Sequence, residues 1–363
     1  MTSNHQNRAD HRLIVMTGGG TAGHVMPNLA LLPDLLQAGY QVQYIGSKDI
    51  EAELVAKAQI PFHQISSGKL RRYASWENFL DIFKVLIGTL QAFFLMLRLR
   101  PSIVFSKGGF VSVPVAIGAR LAGIPVVSHE SDYSPGLANR IIAVFAKKIL
   151  YSFPETSQYL KEGTGVYVPC PIRRELYSGD RKVGLSVCGF EDSGKPVVLI
   201  MGGSLGAQRL NDALLAILPK LILEYRVVHL TGKGKMISFQ NRDYCAFEFL
   251  GDGLKDVYAM TDMVISRAGA NSIFEMLALK IPMLLVPLGL GSRGDQILNA
   301  KSFEKKGWAH VLLEEHVTSE SLYAAIDKLK SSSQSMRAAQ AGVSLKDGGA
   351  QIVDILNKLS RKL

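Results

Sequence analysis

From Arg12 onward the chain alternates short apolar runs with longer segments of helical apolar spacing. RLIVMT at 12–17 reads as a strand, a glycine loop follows, PNLALLPDLLQAG at 27–39 has helical periodicity, and QVQYIGS at 41–47 returns to a strand. IVFS at 103–106 and IPVVSHE at 124–130 continue the rhythm, each after a helical pattern. Past a stretch rich in Pro, Gly and charge, from Pro169 to Pro196, the order restarts: VVLIMGGSLGAQRLNDALLAILPKL at 197–221 repeats strand, glycine loop and helix. YRVVHLTGKG, DMVISRAG and PMLLVPLG supply further strand-to-loop junctions. This alternation predicts an α/β protein of two doubly wound, Rossmann-like parallel-sheet halves joined near Arg173. Ligands of such sheets sit beyond the carboxyl ends of the strands, so two halves facing each other predict a cleft suited to two substrates.

FLDIFKVLIGTLQAFFLMLRLR at 79–100 departs from the rhythm. Its longest uncharged run, Val85 to Leu97, has 13 residues, about 20 Å of helix against about 30 Å of hydrocarbon. The expectation is therefore a helix that does not cross a bilayer. Either it is a crossover helix partly buried on the sheet, or Phe93, Phe94 and Met96 help form a membrane-facing patch ringed by Lys69, Arg71, Arg72, Lys84, Arg98 and Arg100.

Composition narrows the classes. Of 363 residues, 47% are hydrophobic and 20% charged, which excludes disordered, collagen-like and disulfide-scaffold chains. Cys170, Cys188 and Cys245 are far apart with no C-x-x-C spacing, pointing to a reducing compartment and away from zinc. The polar first eleven residues show no secretory pattern, so a cytoplasmic location is expected. The net charge of +10 suits an anionic partner such as nucleic acid, an acidic membrane surface or a phosphorylated substrate. Nucleic acid is disfavoured because aromatic residues are not interleaved with the basic ones.

Three loops carry candidate chemistry. Gly18-Gly19-Gly20-Thr21-Ala22-Gly23-His24 follows a strand and opens a helix, so phosphate or sugar can approach the backbone closely. Gly46-Ser47-Lys48 stands where a dinucleotide site needs an acidic residue, which weakens a nicotinamide reading. His24, in the first helical turn, is a candidate general base or a histidine that only hydrogen-bonds nearby backbone. Gly202-Gly203-Ser204-Leu205-Gly206-Ala207 occupies the matching place in the second half, a cradle for a diphosphate that needs no metal. Neither a D-x-D pair nor another divalent-ion spacing is found in the sequence. Arg173 is the candidate cation for a departing diphosphate, or a surface arginine. In Ser266-Arg267-Ala268-Gly269-Ala270-Asn271-Ser272-Ile273-Phe274-Glu275, small residues open a helix and Glu275 can accept both hydroxyls of a ribose, or else is a solvated helix glutamate.

On GGTAGHVMPNLAL at 19–31, SKGGFVSVPVAIGARLAGIPVVSHESDYSPGLANR at 106–140, MGGSLGAQRLND at 201–212 and SRAGANSIFEMLALKIPMLLVPLGLGSRGDQILNA at 266–300, the chain resembles the MurG family. These stretches keep their order across nearly the whole chain. The resemblance implies a GT-B fold with an N-terminal acceptor- and membrane-associating domain (1–172), a C-terminal UDP-GlcNAc-binding domain (173–344) and a final helix (345–363) returning onto the first. It also implies inverting transfer of GlcNAc from UDP-GlcNAc to undecaprenyl-diphosphate-linked N-acetylmuramoyl-pentapeptide (lipid I), without metal or other cofactor, at the cytoplasmic face of the membrane. Carried over, the family's donor-binding positions fall on Thr21, Ala22, Gly23, Arg173, Ser204, Leu250 through its backbone, Gly269, Ala270, Asn271, Ser272, Glu275 and Gln296, and its candidate base on His24. Three positions depart from the family pattern: Ala22 stands for a glycine, Asp132 in His129-Glu130-Ser131-Asp132 for an amide that touches donor or acceptor, and Cys170 for a common asparagine. The rivals are another GT-B enzyme, such as a diacylglycerol glycosyltransferase, and a non-catalytic UDP-sugar-binding protein.

Overall fold

The structure is a computed structural model that describes residues 12–68, 76–203, 206–289 and 293–361; for 76–80 only the backbone is described. Lys69, Arg71, Arg72 and Ser204 thus lie outside the described residues. The chain divides into two compact units: one of residues 1–171 and 346–363, the other of residues 172–345.

The first unit holds a seven-stranded sheet. Its strands are β1 (Arg12–Thr17), β2 (Tyr40–Gly46), β3 (Phe62–Gln64), β4 (Ile103–Ser106), β5 (Val126–Glu130), β6 (Lys148–Tyr151) and β7 (Gly165–Tyr167). They pair in the order β3-β2-β1-β4-β5-β6-β7, all parallel. Strand periodicity sorts the side chains between two layers. Ile14 and Met16 join one core with Val42, Tyr44 and Phe105, whereas Val15 joins the other with Ile45, Val104 and Val126. The closing helix Gly348–Leu359 adds Ile352, Val353 and Leu356 to the first of these cores.

The second unit holds β8 (Val197–Met201), β9 (Arg226–Leu230), β10 (Tyr244–Phe247), β11 (Met263–Ser266), β12 (Met283–Leu285) and β13 (Ala309–Val311), in the order β10-β9-β8-β11-β12-β13. Again every pairing is parallel. The helices Gln208–Glu224 and Ser319–Ala341 cover one face, setting Leu210, Leu214 and Leu218, then Leu322, Ile326 and Leu329, against Val198 and Ile200. The central strands β4, β5, β8, β9, β11 and β12 are buried on both faces, which is why they read as continuous apolar runs rather than alternating ones.

Both sheets share one consequence. The chain leaves β1 toward β2 and β4 toward β5, in opposite directions, so a crevice opens between the carboxyl ends of β1 and β4. The second sheet does the same between β8 and β11. Register brings the paired loops to one height, since Thr17 lies beside Ser106 and Met201 beside Ser266.

The helix Trp76–Leu99 is the crossover that the parallel β3 and β4 require. Asp81–Leu99 has a mean hydropathy of 1.7 and is, by length and composition, apolar enough to cross a membrane. Counting only the uncharged run understated it, because Lys84 and Arg98, which bound that run, lie within the apolar span. One stripe of it packs within its own unit. Gly88, Thr89, Ala92 and Met96 face inward, and the helix approaches its neighbours so closely that a Cβ on Gly88 would lie 1.9 Å from the Ser66 carbonyl oxygen. Met96 is only 1% exposed, which corrects its assignment to a surface patch: it follows Ala92 by one turn on the buried stripe. Phe94 is 64% exposed and Phe93 half-buried. A second apolar stripe, Phe83, Ile87, Leu90, Phe94 and Leu97, runs along the outer face, with Ile82 and Leu86 beside it.

Gly88→Ala is expected to destabilise the protein by about 1–3 kcal/mol through overpacking, although in an exposed helix the same change would add about 1 kcal/mol. The midpoint of denaturant unfolding measures the sign.

Candidate active site

At the crevice of the first sheet, the loop after β1 and the loop after β4 interlock. Gly109 adopts φ +82°, and a Cβ there would lie 2.3 Å from the Gly19 carbonyl oxygen. Only glycine allows that approach. Thr21, Ala22, Gly23 and His24 continue into the helix Ala22–Ala30. Thr21 is its N-cap and Ala22 its first residue, where the backbone is helical and an alanine in place of a glycine favours the helix.

His24 Nδ1 lies 3.0 Å from the carbonyl oxygen of Lys107. A carbonyl only accepts, so Nδ1 carries the proton and Nε2 is the basic nitrogen. The histidine does bond to backbone, but to backbone of a different strand's loop.

Beneath these loops lies a polar layer that sequence reasoning missed. Glu51 is fully buried, and its carboxylate accepts from the backbone N–H groups of Ser47 (3.0 Å) and Gly20 (3.2 Å) and from the Ser47 hydroxyl. It holds the first glycine loop from inside, performing part of the role expected of an external anion. Asn28 donates to the Thr17 carbonyl (3.1 Å), and Tyr44 donates to that of Gly18. Lys107, 3% exposed, donates its ammonium to His129 Nδ1 and the Ser131 hydroxyl. Burial and the Lys107 charge hold His129 well below its usual pKa. The ring is therefore neutral, accepting at Nδ1 and donating from Nε2 to the Ser152 hydroxyl at 3.0 Å. Glu130 accepts from the backbone N–H groups of Asp132 and Gly136 and from the Asn139 amide, each at 2.9 Å, which fixes the loop bearing Asp132. A lysine inside the otherwise small run Ser106–Gly109 was the available signal.

The other candidates belong to the second unit and, apart from Arg173, which precedes β8, fall at the carboxyl ends of its strands. The loop with Gly202 and Gly203 follows β8, and Leu250 follows β10. Gly269 caps the helix Ala270–Ala278 after β11, placing Ala270, Asn271 and Ser272 in its first turn and Glu275 in its second. Gln296 lies in the helix Asp295–Lys305 after β12, and its Oε1 accepts from the Leu288 backbone N–H at 3.0 Å. Arg267, also missed, is buried; it donates to the Val286 carbonyl (3.1 Å) and to Glu314, whose other oxygen accepts from Gly289 N–H. This pair fastens the loop after β12.

Arg173 and Glu275 are brought together. Nε and Nη2 of Arg173 donate to the two carboxylate oxygens at 2.8 and 3.1 Å. Their side chains are 18% and 13% exposed, so neither is the solvated surface residue that the sequence left open. Nor does the cation expected at a diphosphate stand alone: its charge is matched by the carboxylate expected at a ribose.

Family comparison agrees with this geometry. The description "Glycosyltransferase family 28 N-terminal domain" matches residues 14–151 and "Glycosyltransferase family 28 C-terminal domain" residues 197–352. A protein of Geobacillus thermodenitrificans named UDP-N-acetylglucosamine--N-acetylmuramyl-(pentapeptide) pyrophosphoryl-undecaprenol N-acetylglucosamine transferase is 54% identical over 321 residues, 87% of this chain and 90% of that protein. One of the same name from Clostridium novyi is 53% identical over 320 residues, again 87% and 90%. The crystal structure of Acinetobacter baumannii MurG superposes with a TM-score of 0.72 at 26% identity, covering 96% of this chain and 99% of that one. The chain belongs to the MurG family of glycosyltransferases. A glycosyltransferase of kitacinnamycin, TM-score 0.76 at 16% identity and covering 97% of this chain and 100% of that one, shares the fold. As in other MurG family members, the GT-B architecture is two Rossmann-like parallel-sheet domains.

Glu51→Gln is expected to cost about 1–3 kcal/mol, because one side-chain amide face must then meet a backbone N–H as donor against donor. Denaturant unfolding of the variant measures the loss; unchanged stability would remove Glu51 as the internal anchor of the first glycine loop.

Proposed function

We propose that this chain transfers GlcNAc from UDP-GlcNAc to the C4 hydroxyl of undecaprenyl-diphosphate-linked N-acetylmuramoyl-pentapeptide, converting lipid I to lipid II. The observation that carries the reading is the name shared by relatives about half identical over nearly their whole length. The second unit takes the donor, with the ribose at Glu275, the sugar nucleotide along Gly269, Ala270, Asn271 and Ser272, and further contacts from Ser204, the Leu250 backbone and Gln296. The first unit takes the acceptor and supplies Thr21, Ala22, Gly23 and Asp132 to the substrates.

In the proposed step the acceptor oxygen attacks the anomeric carbon from the face opposite UDP. The bond from that carbon to the diphosphate breaks, UDP leaves with the electron pair, and the hydroxyl proton passes to His24 Nε2. The Lys107 carbonyl supports this by fixing the tautomer. The developing diphosphate charge is met by backbone N–H groups of the loop after β8 and the start of the helix Gln208–Glu224.

The acceptor is a lipid, and the outer stripe of the helix Trp76–Leu99 supports peripheral attachment at the cytoplasmic face of an anionic membrane. Leu86, Leu90 and Phe94 are more than half exposed, and Lys84, Arg98 and Arg100 are exposed around them. Apolar insertion and basic flanks act together at such a surface, each cation adding about 1 kcal/mol.

Purified protein given UDP-GlcNAc and a synthetic lipid acceptor is expected to release UDP only when both are present. His24→Ala should lower kcat by about 10²–10⁴-fold while UDP affinity, read by calorimetry, holds; near-normal turnover would remove His24 as base. Replacing Leu86, Leu90 and Phe94 together by serine should abolish co-sedimentation with phosphatidylglycerol vesicles while leaving UDP binding intact, and persistent sedimentation would place membrane contact elsewhere.

A further inference from the structure

The Arg173–Glu275 pair assigns a different task to the arginine than its charge suggests. Both guanidinium nitrogens of one edge are committed to both oxygens of a single carboxylate, at 2.8 and 3.1 Å, across 102 residues of sequence. The remaining edge faces Glu175, with Nη1 3.9 Å from its carboxylate. A planar fork on a planar carboxylate fixes the carboxylate's plane as well as its position. Each carboxylate oxygen has a second lone-pair direction, so a carboxylate held this way can still accept from two vicinal hydroxyls.

The surroundings make the pairing necessary. Tyr258, 2% exposed, stands beside Glu275, and burial raises the pKa of both groups. Arg173 draws the Glu275 carboxyl back toward ionisation, against burial and against Glu175. Were Arg173 to leave for a diphosphate, a carboxylate nearly out of water would lose its counter-charge, which is strongly unfavourable.

We propose that Arg173 is a positioning residue that serves the donor through Glu275, setting that carboxylate to receive the two ribose hydroxyls, and that it does not bind the diphosphate. The proposal rests on the donor reading above, and it divides the donor site chemically: the diphosphate is left to backbone N–H groups, the ribose to an ion pair.

Calorimetric titration of the full chain with UDP and with 2′,3′-dideoxy-UDP separates these roles. The ratio of the two dissociation constants measures ribose-hydroxyl recognition, and a generally loosened fold weakens both nucleotides alike. In the wild type the dideoxy nucleotide should bind more weakly by about tenfold or more, and Glu275→Gln should remove most of that difference. Arg173→Ala should also remove it, weakening UDP about tenfold while changing dideoxy-UDP by no more than about twofold. Arg173→Gln, which retains an N–H donor, should give an intermediate ratio and decides the matter if the alanine variant does not fold. Equal weakening of both nucleotides with the ratio preserved would overturn the proposal and return Arg173 to the diphosphate or to a purely structural role. Wild-type protein that bound neither nucleotide, or a ratio untouched by Glu275→Gln, would instead bring down the donor reading itself.

Discussion

Parallel pairing of two central strands, β1 with β4 and β8 with β11, is the constraint on which everything else in this molecule depends. Because the neighbours depart in opposite directions, a crevice opens at the carboxyl ends of those pairs between their own loops, and register holds the loops level. Each candidate group then needs only a local device to aim it. His24 is aimed by a carbonyl from the loop after β4, Asp132 by the carboxylate of Glu130, and Gln296 by the backbone of the loop after β12. Strands buried on both faces make this frame rigid, since a register slip would move apolar residues of both layers together.

The two glycine-rich turns look alike as text and are built differently. The first is filled from within: Glu51 takes the Gly20 N–H, Tyr44 donates to the Gly18 carbonyl, and a second glycine loop presses on Gly19. Such a turn is a scaffold for the helix and histidine that follow it. Its glycines are required by contact with the His24 carbonyl, Glu51 and Phe110. In the second unit, Gly206 (φ +68°) is tight against the Thr231 carbonyl, where a Cβ would lie 2.3 Å from the oxygen, while at Gly203 (φ +78°) a Cβ would meet no described atom within 4 Å. Two buried charged groups are likewise settled by the fold itself, Lys107 on a neutral histidine and a hydroxyl and Arg173 on Glu275.

The helix Trp76–Leu99 shows how one apolar sequence can serve two surfaces. Ala92 and Met96 face inward while Leu90, Phe94 and Leu97 face outward, at the same spacing and with the same chemistry. Hydropathy alone ranks both stripes as interior. What divides them is Gly88, whose missing side chain lets the helix approach the Ser66 carbonyl, and Gly118, where a Cβ would lie 2.7 Å from the Phe93 nitrogen. The side that can approach so closely becomes the inside.

The sequence by itself determined the alternation of strands and helices, the two glycine loops, the helix start at Ser266–Glu275 and, through four ordered stretches, the family. These are local properties, written in spacings of two or 3.6 residues and in glycines that no other residue can replace. Tertiary structure alone decided that Arg173 meets Glu275, that Glu51 lies under Gly20, that Lys107 and His129 form a buried pair, and that Met96 turns inward while Phe94 turns out. Each of those facts joins groups that chain spacing does not place together, or chooses between two equally apolar faces. Periodicity gives a residue its face on an element, whereas a partner 31 or 102 positions away is fixed only when the sheet sets the elements side by side.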